Sequence, residues 1–269
     1  SASRPLRDLL IDAAKTPIFY KTNDGIRFLA FLFTISPSFI QQLHTSIKTI
    51  IPGASAQIAN AIGEVYFKAW RSCEGVFKSN IEEQCIQDLM LRGIVANPNL
   101  PKNLKIFLPI RNLLKVLHRA KNDRQAQAML AKLYEPILWR HLKVANCQVR
   151  SNAAQLFYDA FPVEDPSLQL EERAMKYEEQ VQMMCELLKD EVPEVRIVSI
   201  QGASLLIAKY FQILSSTDLN KLVKIFVVDL AVDASSSQVR LEVLKGFKHI
   251  TNTCVRSHLY MKKILPKIW

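Results

Sequence analysis

The chain has 269 residues, 35 of them Lys or Arg and 25 Asp or Glu, for a formal charge of +10. Hydrophobic residues make up 49% and charged residues 22%, which excludes intrinsic disorder. Only 7 glycines occur, too few for a fold built on phosphate-cradling loops and tight hairpins, and the length suits one or two ordinary domains or one longer solenoid.

The five cysteines stand at 73, 85, 147, 185 and 254. Their odd number, wide spacing and lack of a C-x-x-C pair point to free thiols in a reducing compartment rather than a disulfide framework. The densest apolar runs, Ile26 to Ile35 and Leu222 to Val232, are too short to span a bilayer and carry Arg27, Lys224 and Asp229. The opening Ser-Ala-Ser-Arg-Pro lacks the apolar core of a signal peptide. A soluble intracellular protein with no membrane partner is expected. There is no initiator Met, and the sequence stops at Trp269 inside a helical pattern that starts near Ser257, so it reads as a segment of something longer.

In chain order, Ser36 as N-cap and Pro37 in the first turn predict a helix with Phe39, Ile40, Leu43, Ile47, Ile50 and Ile51 on one face. Pro52-Gly53 ends it. The next helix carries Ile58, Ile62, Val65, Tyr66, Ala69, Trp70 and Cys73, with Glu64, Lys68 and Arg71 off the stripe. Asn80 is read as the cap of a helix bearing Cys85, Ile86, Leu89 and Met90. Asn97-Pro-Asn-Leu-Pro101 breaks the pattern, and Pro109 opens another helix in its first turn. Convincing period-two strands are absent, so the chain reads as all-α.

From residue 133 the sequence repeats. A Val-Arg pair recurs at Val149-Arg150, Val195-Arg196 and Val239-Arg240, at intervals of 46 and 44 residues. That is the period of HEAT and armadillo units. Apolar columns accompany it: Leu142, Leu188 and Val232; Leu138, Met184 and Val228; Ile137, Met183 and Val227; then Phe157, Ala203 and Phe247; and Ala160, Leu206 and Ile250. Upstream columns fit one helix and downstream columns a second, with turns at 146–148, 192–194 or 235–238. Each hairpin has more apolar face than it buries alone, so neighbours must stack. The expected fold is a HEAT-repeat α-solenoid over 1–269. It has irregular helical repeats over about 5–132, regular repeats over about 133–162, 167–211 and 216–250, and the start of another at 256–269. Arg150, Arg196 and Arg240 are read as a ladder of inter-repeat hydrogen bonds and salt bridges, with Asp190 and Asp233 near two of them and only Asn146 near the first. The acidic stretch from Pro162 to Glu179 reads as a solvated loop and helix start.

The charge is confined. Residues 1–91, 151–160 and 161–269 carry net charges of +1, −1 and 0, whereas 92–150 carries +10, with only Asp123 and Glu135 opposing its twelve bases. On the helix from Pro109, Ile110, Leu113, Leu114 and Leu117 take one face. Arg111, Lys115, His118 and Arg119 fall on the other. Like charges at such spacings repel by a few tenths of a kcal/mol per pair, a cost that an adjacent phosphate backbone reverses through counterion release. The candidate DNA-contacting residues are Lys102, Lys105, Arg111, Lys115, Arg119, Lys121, Arg124 and Lys132. A solvated basic face is the alternative. Candidate partner-contacting residues on the second helices are Tyr158, Phe161, Tyr210 and Phe211.

No phosphate-binding loop, dinucleotide fingerprint, H-E-x-x-H or nucleophile elbow is present. The histidines at 44, 118, 141, 249 and 258 are scattered. Cys147 and His141 lie six residues apart across a turn, which is ordinary in helical hairpins, and Trp139 is read as an inter-repeat anchor. No cofactor, metal or catalytic site is expected.

Several stretches resemble the G-type HEAT-repeat subunits of condensin, in their condensin II form. They are Gly25-Ile-Arg-Phe-Leu-Ala-Phe-Leu-Phe33, Glu64-Val-Tyr-Phe-Lys-Ala-Trp70, Leu133-Tyr-Glu-Pro-Ile-Leu-Trp-Arg140, Val149-Arg-Ser-Asn-Ala-Ala154, Asp159-Ala-Phe-Pro162 and Ala234-Ser-Ser-Ser-Gln-Val-Arg240. The likeness is collinear from about residue 10, as for the amino-terminal part of such a subunit, and departs around 97–105 and 168–177. It implies a non-catalytic subunit that grips the kleisin subunit and forms with it a basic groove for double-stranded DNA. The ATPase heads of such a complex are SMC chains, and the resemblance further implies residence in the nucleus, on chromosomes, and a role in mitotic chromosome condensation. The alternative is a protein-only HEAT adaptor, transport-receptor-like or phosphatase-scaffold-like, binding extended peptides on its concave face.

Overall fold

The computed structural model describes residues 5–97, 99–101, 105–212, 214–253, 259 and 262. The fold is an all-α HEAT-repeat solenoid, with helices and turns and no strand among the described residues. It falls into two compact units, residues 1–140 with 163–167, and 141–162 with 168–269.

The first unit opens with α1 (Leu6–Lys15), a 3-10 turn (Pro17–Tyr20), α2 (Asn23–Leu32), α3 (Pro37–Ile50) and α4 (Ala56–Ser72). Local chemistry sets the starts. Thr22, Ser36 and Ser55 each accept a hydrogen bond from the backbone amide three residues on, satisfying a donor that the helix itself leaves unpaired. Pro37 occupies the first turn of α3, where no amide hydrogen is needed. α5 (Gly75–Asn80), a π-helical turn (Ile81–Ile86) and α6 (Gln87–Ile94) follow without a break. Asn80 therefore does not start a helix. It sits at α-helical backbone angles, and its side-chain oxygen accepts from Gln84. α7 (Phe107–Arg119) and α8 (Arg124–Tyr134) complete the main elements, and the short α9 (Leu138–His141) straddles the division between the units. α7 begins two residues ahead of Pro109, which still falls within its first turn. The helices form two rows, α1 against α3 against α5, and α2 against α4 against α7. Trp70, Tyr66, Tyr20 and Tyr134 are fully buried between and beside them.

The second unit stacks α10 (Cys147–Ala160), α12 (Pro193–Tyr210) and α14 (Ser237–Thr253) side by side. α11 (Leu170–Leu188) and α13 (Ser216–Lys224), which runs on into a second π-helical turn (Ile225–Leu230), cover them. Val149, Val195 and Val239 are each the third residue of a second helix. The arginines that follow build a ladder. Arg150 grips Asp190 with two bonds of 2.8 Å and donates to the carbonyls of Val144 and Ala145. Arg196 reaches Asp233 at 3.0 Å and donates to the carbonyls of Asp190 and Glu191. Arg240 donates to the Asp233 carbonyl. Each aspartate thus serves the arginine of the preceding repeat, so Asn146 is free to cap α10 instead, accepting from the amides of Gln148 and Val149. Although burial works against its charge, bonds from Ser235 and Ser236 and the nearby Arg196 hold the Asp233 carboxyl below its ordinary range.

Two expected core columns fail in the third repeat. Val228 and Val232 are 43% and 60% exposed, while Ile225, Phe226 and Leu230 are buried. The π-helical turn fits extra residues into one turn and rotates the apolar face, which a fixed alignment on Val239 does not anticipate. The first helix of the first regular repeat is also broken. Pro136 cannot donate an amide hydrogen, and only Leu138–His141 stays helical before the turn.

Candidate nucleic-acid interface

The row of basic side chains is positioned by the contact of α7 with α4. Gly63 on α4 lies against α7 so closely that a Cβ there would collide with the Leu113 carbonyl and crowd Val116. Ile110, Leu113, Leu114 and Leu117 point inward and are at most 1% exposed. That burial, of order 2 kcal/mol for each aliphatic side chain, fixes the roll of the helix. It turns Arg111, Lys115 and Arg119 outward at steps of four residues, about 6 Å.

Arg111 and Lys115 are half-buried, and Arg119 is exposed. The Lys115 ammonium meets only Asn112 Oδ1 at 3.4 Å, and neither Lys115 nor Arg119 has a carboxylate partner among the described residues. Lys105 is exposed just ahead of α7, Lys121 is half-buried in the α7–α8 turn, and the exposed Arg124 donates to the Pro166 carbonyl at 3.3 Å. Lys102 lies outside the described residues.

One expectation for this face is corrected, and a second residue proves to be paired. His118 belongs to the inner side, being 3% exposed with Nε2 2.7 Å from the Tyr134 hydroxyl. The apolar stripe is broad enough to include position 118, where the imidazole finds a polar partner. Lys132 bonds Glu82 at 2.9 Å and Glu83 at 3.4 Å, and the bond to Glu82 raises its pKa. Glu82 also accepts from the Trp70 indole at 2.8 Å. The π-helical turn presents both glutamates to α8, so the exposed Lys132 is paired with carboxylates of the same unit, unlike Lys115 and Arg119. Other bases of the 92–150 window are similarly engaged. Arg92 bonds Asp88 at 2.8 Å, Lys143 lies 3.5 Å from Glu186, and Arg150 is in the ladder.

At the end of the row the structure adds a residue that charge partitioning hides. A cleft of about 670 Å³ is lined by Phe67, Arg71, Arg119, Ala120, Asn122, Asp123, Arg124 and Gln125. Arg71 comes from the nearly neutral 1–91 segment, where the sequence places it only off the apolar stripe of α4. Asp123 is the one acid among these lining residues. Its Oδ1 caps α8 by accepting from the amides of Gln125 and Ala126, and its Oδ2 faces Arg71 at 3.5 Å.

A second polar cluster lies in the core of the same unit. His44 is within 2.7 Å of the Tyr66 hydroxyl and 3.0 Å of Asp88, which also receives Lys48 and Arg92. Burial pushes the His44 pKa down to about 4 despite Asp88. The imidazole is therefore neutral near pH 7, accepting from Tyr66 and donating to Asp88. At 2% exposure it is closed to a substrate. Cys85 is likewise enclosed, and burial pushes its thiol up to about 12. No cluster of His, Cys, Asp or Glu arranged to hold a metal occurs among the described residues.

A sequence model of the family described as condensin II non structural maintenance of chromosomes subunit matches residues 12–165. The chain belongs to that family. It is 36% identical over 267 residues to the human condensin-2 complex subunit G2, and 34% identical over 266 residues to that of Xenopus laevis. Each alignment covers 99% of this chain and 23% of the relative, so the chain spans about a quarter of the curated relatives' length. A crystal structure of an engineered protein overlaps at TM-score 0.44 with 13% identity, covering 93% of this chain and 64% of that one.

In this condensin II family member the proposed partner-contacting aromatics divide. Tyr158 and Phe161 are 5% and 2% exposed and belong to the core: Phe161 rings contact Phe157, Tyr177 and Tyr210, and the Tyr158 ring fills the space beside Gly202. They are not available to a partner in this conformation. Tyr210 and Phe211 are half-exposed, with the Tyr210 hydroxyl donating to the Phe161 carbonyl at 3.5 Å. α12 packs against α10 on one flank and α14 on the other, so the large aromatics at these contacts serve stacking before they serve a surface. No helix among the described residues is long and apolar enough to cross a membrane.

Proposed function

We propose that this chain is a non-catalytic HEAT-repeat scaffold segment of a condensin II G2-type subunit that binds double-stranded DNA and the kleisin subunit within the SMC-containing complex on nuclear chromosomes. The observation that carries the DNA reading is the outward row Arg111, Lys115 and Arg119, flanked by Lys105, Lys121 and Arg124. Like charges held one turn apart repel in the free protein, and a phosphate backbone laid along them exchanges that repulsion for counterion release. Family membership supports a place among condensin subunits. Tyr210 and Phe211 remain candidates for the kleisin contact.

The test is duplex binding by the full chain across a salt series, with and without a kleisin peptide that completes the groove. Reversal of Arg111, Lys115 and Arg119 to Glu is expected to weaken binding and flatten its salt dependence with unchanged helicity. Unchanged affinity and slope remove these residues from the DNA surface. A chain that binds peptide tightly but ignores DNA under both conditions is instead a protein-only adaptor.

A further inference from the structure

We infer that the cleft at the α7–α8 turn is a phosphate clamp at the end of the duplex-binding row, with Arg71 of α4 as its third arm and Asp123 as the counter-ion that holds Arg71 ready until a backbone phosphate displaces it. This rests on the duplex-binding reading above and extends it to a residue outside the basic window.

Three features support the assignment. First, Arg71 is pre-set. Its guanidinium lies over the Phe67 ring at 5.7 Å, and Phe67 in turn stacks on the buried Trp70 with centroids 5.9 Å apart and planes 18° apart. The ring gives the guanidinium a cation–π resting place beside the cleft while the side chain stays 61% exposed and its donors reach solvent. Second, its present partner is weakly held. The Arg71–Asp123 contact is 3.5 Å with the arginine side chain 61% exposed, whereas the buried Arg150–Asp190 pair is made by two bonds of 2.8 Å. An exposed contact of that length contributes little to stability and yields readily to the charged non-bridging oxygens of a backbone phosphate. Third, Asp123 does more than a cap requires. Capping uses Oδ1 alone, and Asn caps a helix as well as Asp does. The charge also suits the N-terminus of α8, but Oδ2 is left over from the cap and stands opposite Arg71.

Arg119 and Arg124 approach the same cleft from either side of the turn. Arg119 is also the last member of the α7 row, so the cleft continues a line of cations instead of standing alone. That continuity favours a nucleic-acid backbone, a line of charges, over a lone phosphorylated side chain. Lys78 borders the site, with its ammonium 4.3 Å from the Trp70 ring centroid and 3.4 Å from Gln125 Oε1.

The experiment uses the full chain and a fluorescein-labelled duplex of about 30 base pairs, titrated between about 50 and 200 mM salt. Arg71→Ala is expected to weaken binding about three- to tenfold and to lower the magnitude of the salt slope by about 0.9, the value for one phosphate contact. Arg71→Lys, which keeps the charge but loses the stacked fork, is expected to fall between. Asp123→Asn preserves the cap and removes the competing carboxylate, so it is expected to tighten binding about two- to fivefold at the low-salt end. Because removing any acid beside a cationic row favours an anionic ligand, the same change is made in the Arg71→Ala background, where the gain is expected to be largely lost; a full gain there overturns the counter-ion role. If Arg71→Ala leaves affinity and slope unchanged while the triple Glu reversal on α7 still weakens binding, the clamp is wrong and the row stands. If neither changes binding, both readings fail. Unchanged or weaker binding by Asp123→Asn, with helicity intact, overturns its role as a displaceable counter-ion. In a parallel arm at matched ionic strength, inorganic phosphate at millimolar concentration is expected to leave duplex binding unchanged. Selective loss of the Arg71-dependent part would assign the cleft to isolated phosphates, as on a phosphopeptide, and overturn the backbone assignment.

Discussion

Replacing Asp190 by Ala removes both oxygens that receive Arg150 and the oxygen that accepts from the Val192 amide. The Arg150 and Asp190 side chains are only 7% and 10% exposed, so the arginine is left charged where water reaches it poorly. Breaking a buried pair in this way costs about 3–5 kcal/mol. Two features hold the value toward the lower end. Arg150 keeps the Val144 and Ala145 carbonyls, and the exposed Glu191 carboxylate stands 3.8 Å away. Asp190→Asn keeps one oxygen for the Val192 amide and one Arg150 donor but loses the charge and the second acceptor, which predicts a smaller cost of about 2 kcal/mol. In a double-mutant cycle with Arg150→Met, a coupling of about 2–3 kcal/mol is expected. The chain contains two compact units, so the readout is native-state hydrogen exchange resolved to α10 and α12 rather than one melting curve. Protection there should fall while α4 and α7 are unaffected. A coupling below about 0.5 kcal/mol would mean that the ladder accompanies stacking without stabilising it.

Acidification gives a second prediction, through His44. Its pKa is depressed from 6.5 to about 4, so the unfolded chain binds a proton that the folded chain refuses between those values. Stability of the first unit should therefore decline as pH falls from about 6.5 toward 4, by a total of about 3 kcal/mol. Asp88, Lys48, Arg92 and Tyr66 face the imidazole. Asp88 stays ionised over most of that window, held below its ordinary range by bonds from His44, Lys48 and Arg92 that outweigh its burial, and burial keeps Tyr66 neutral. Denaturant unfolding at several pH values checks this, and His44→Gln should flatten the profile. Gly63→Ala is expected to cost about 1–3 kcal/mol, because the added Cβ meets the Leu113 backbone oxygen rather than a yielding side-chain end. Urea unfolding measures it, and a neutral result would contradict the close approach that orients α7.

Much of the fold is readable in the sequence because it rests on periodic and local signals. The Ser36 cap, the stripes of α3 and α4 and the Val-Arg positions each depend on a few neighbouring residues. The π-helical turns are not readable in the same way. Nothing in Ile225 to Leu230 announces that the turn takes in extra residues, and the rotation exposes Val228 and Val232. The candidate site divides along the same line. Arg111, Lys115 and Arg119 follow from helix spacing alone. The loss of Lys132 to Glu82 depends on helices about 50 residues apart in the chain. Arg71 joins Arg119 and Arg124 for the same non-local reason, and a window of net charge averages it away. Tyr158 and Phe161 show the converse limit. Periodicity marks an aromatic as apolar without telling a packed flank from an open one.

The most direct test of the central claim is a lysine-reactivity footprint of the full chain with and without duplex DNA, in the presence of the kleisin peptide. Acetylation of Lys105, Lys115 and Lys121 should be suppressed by the duplex, while Lys132, Lys189 and Lys221 stay unchanged. Suppression centred on the second unit, at Lys209 or Lys245, with Lys115 reacting as freely as before, would contradict the assignment of the DNA surface to α7 and its following turn.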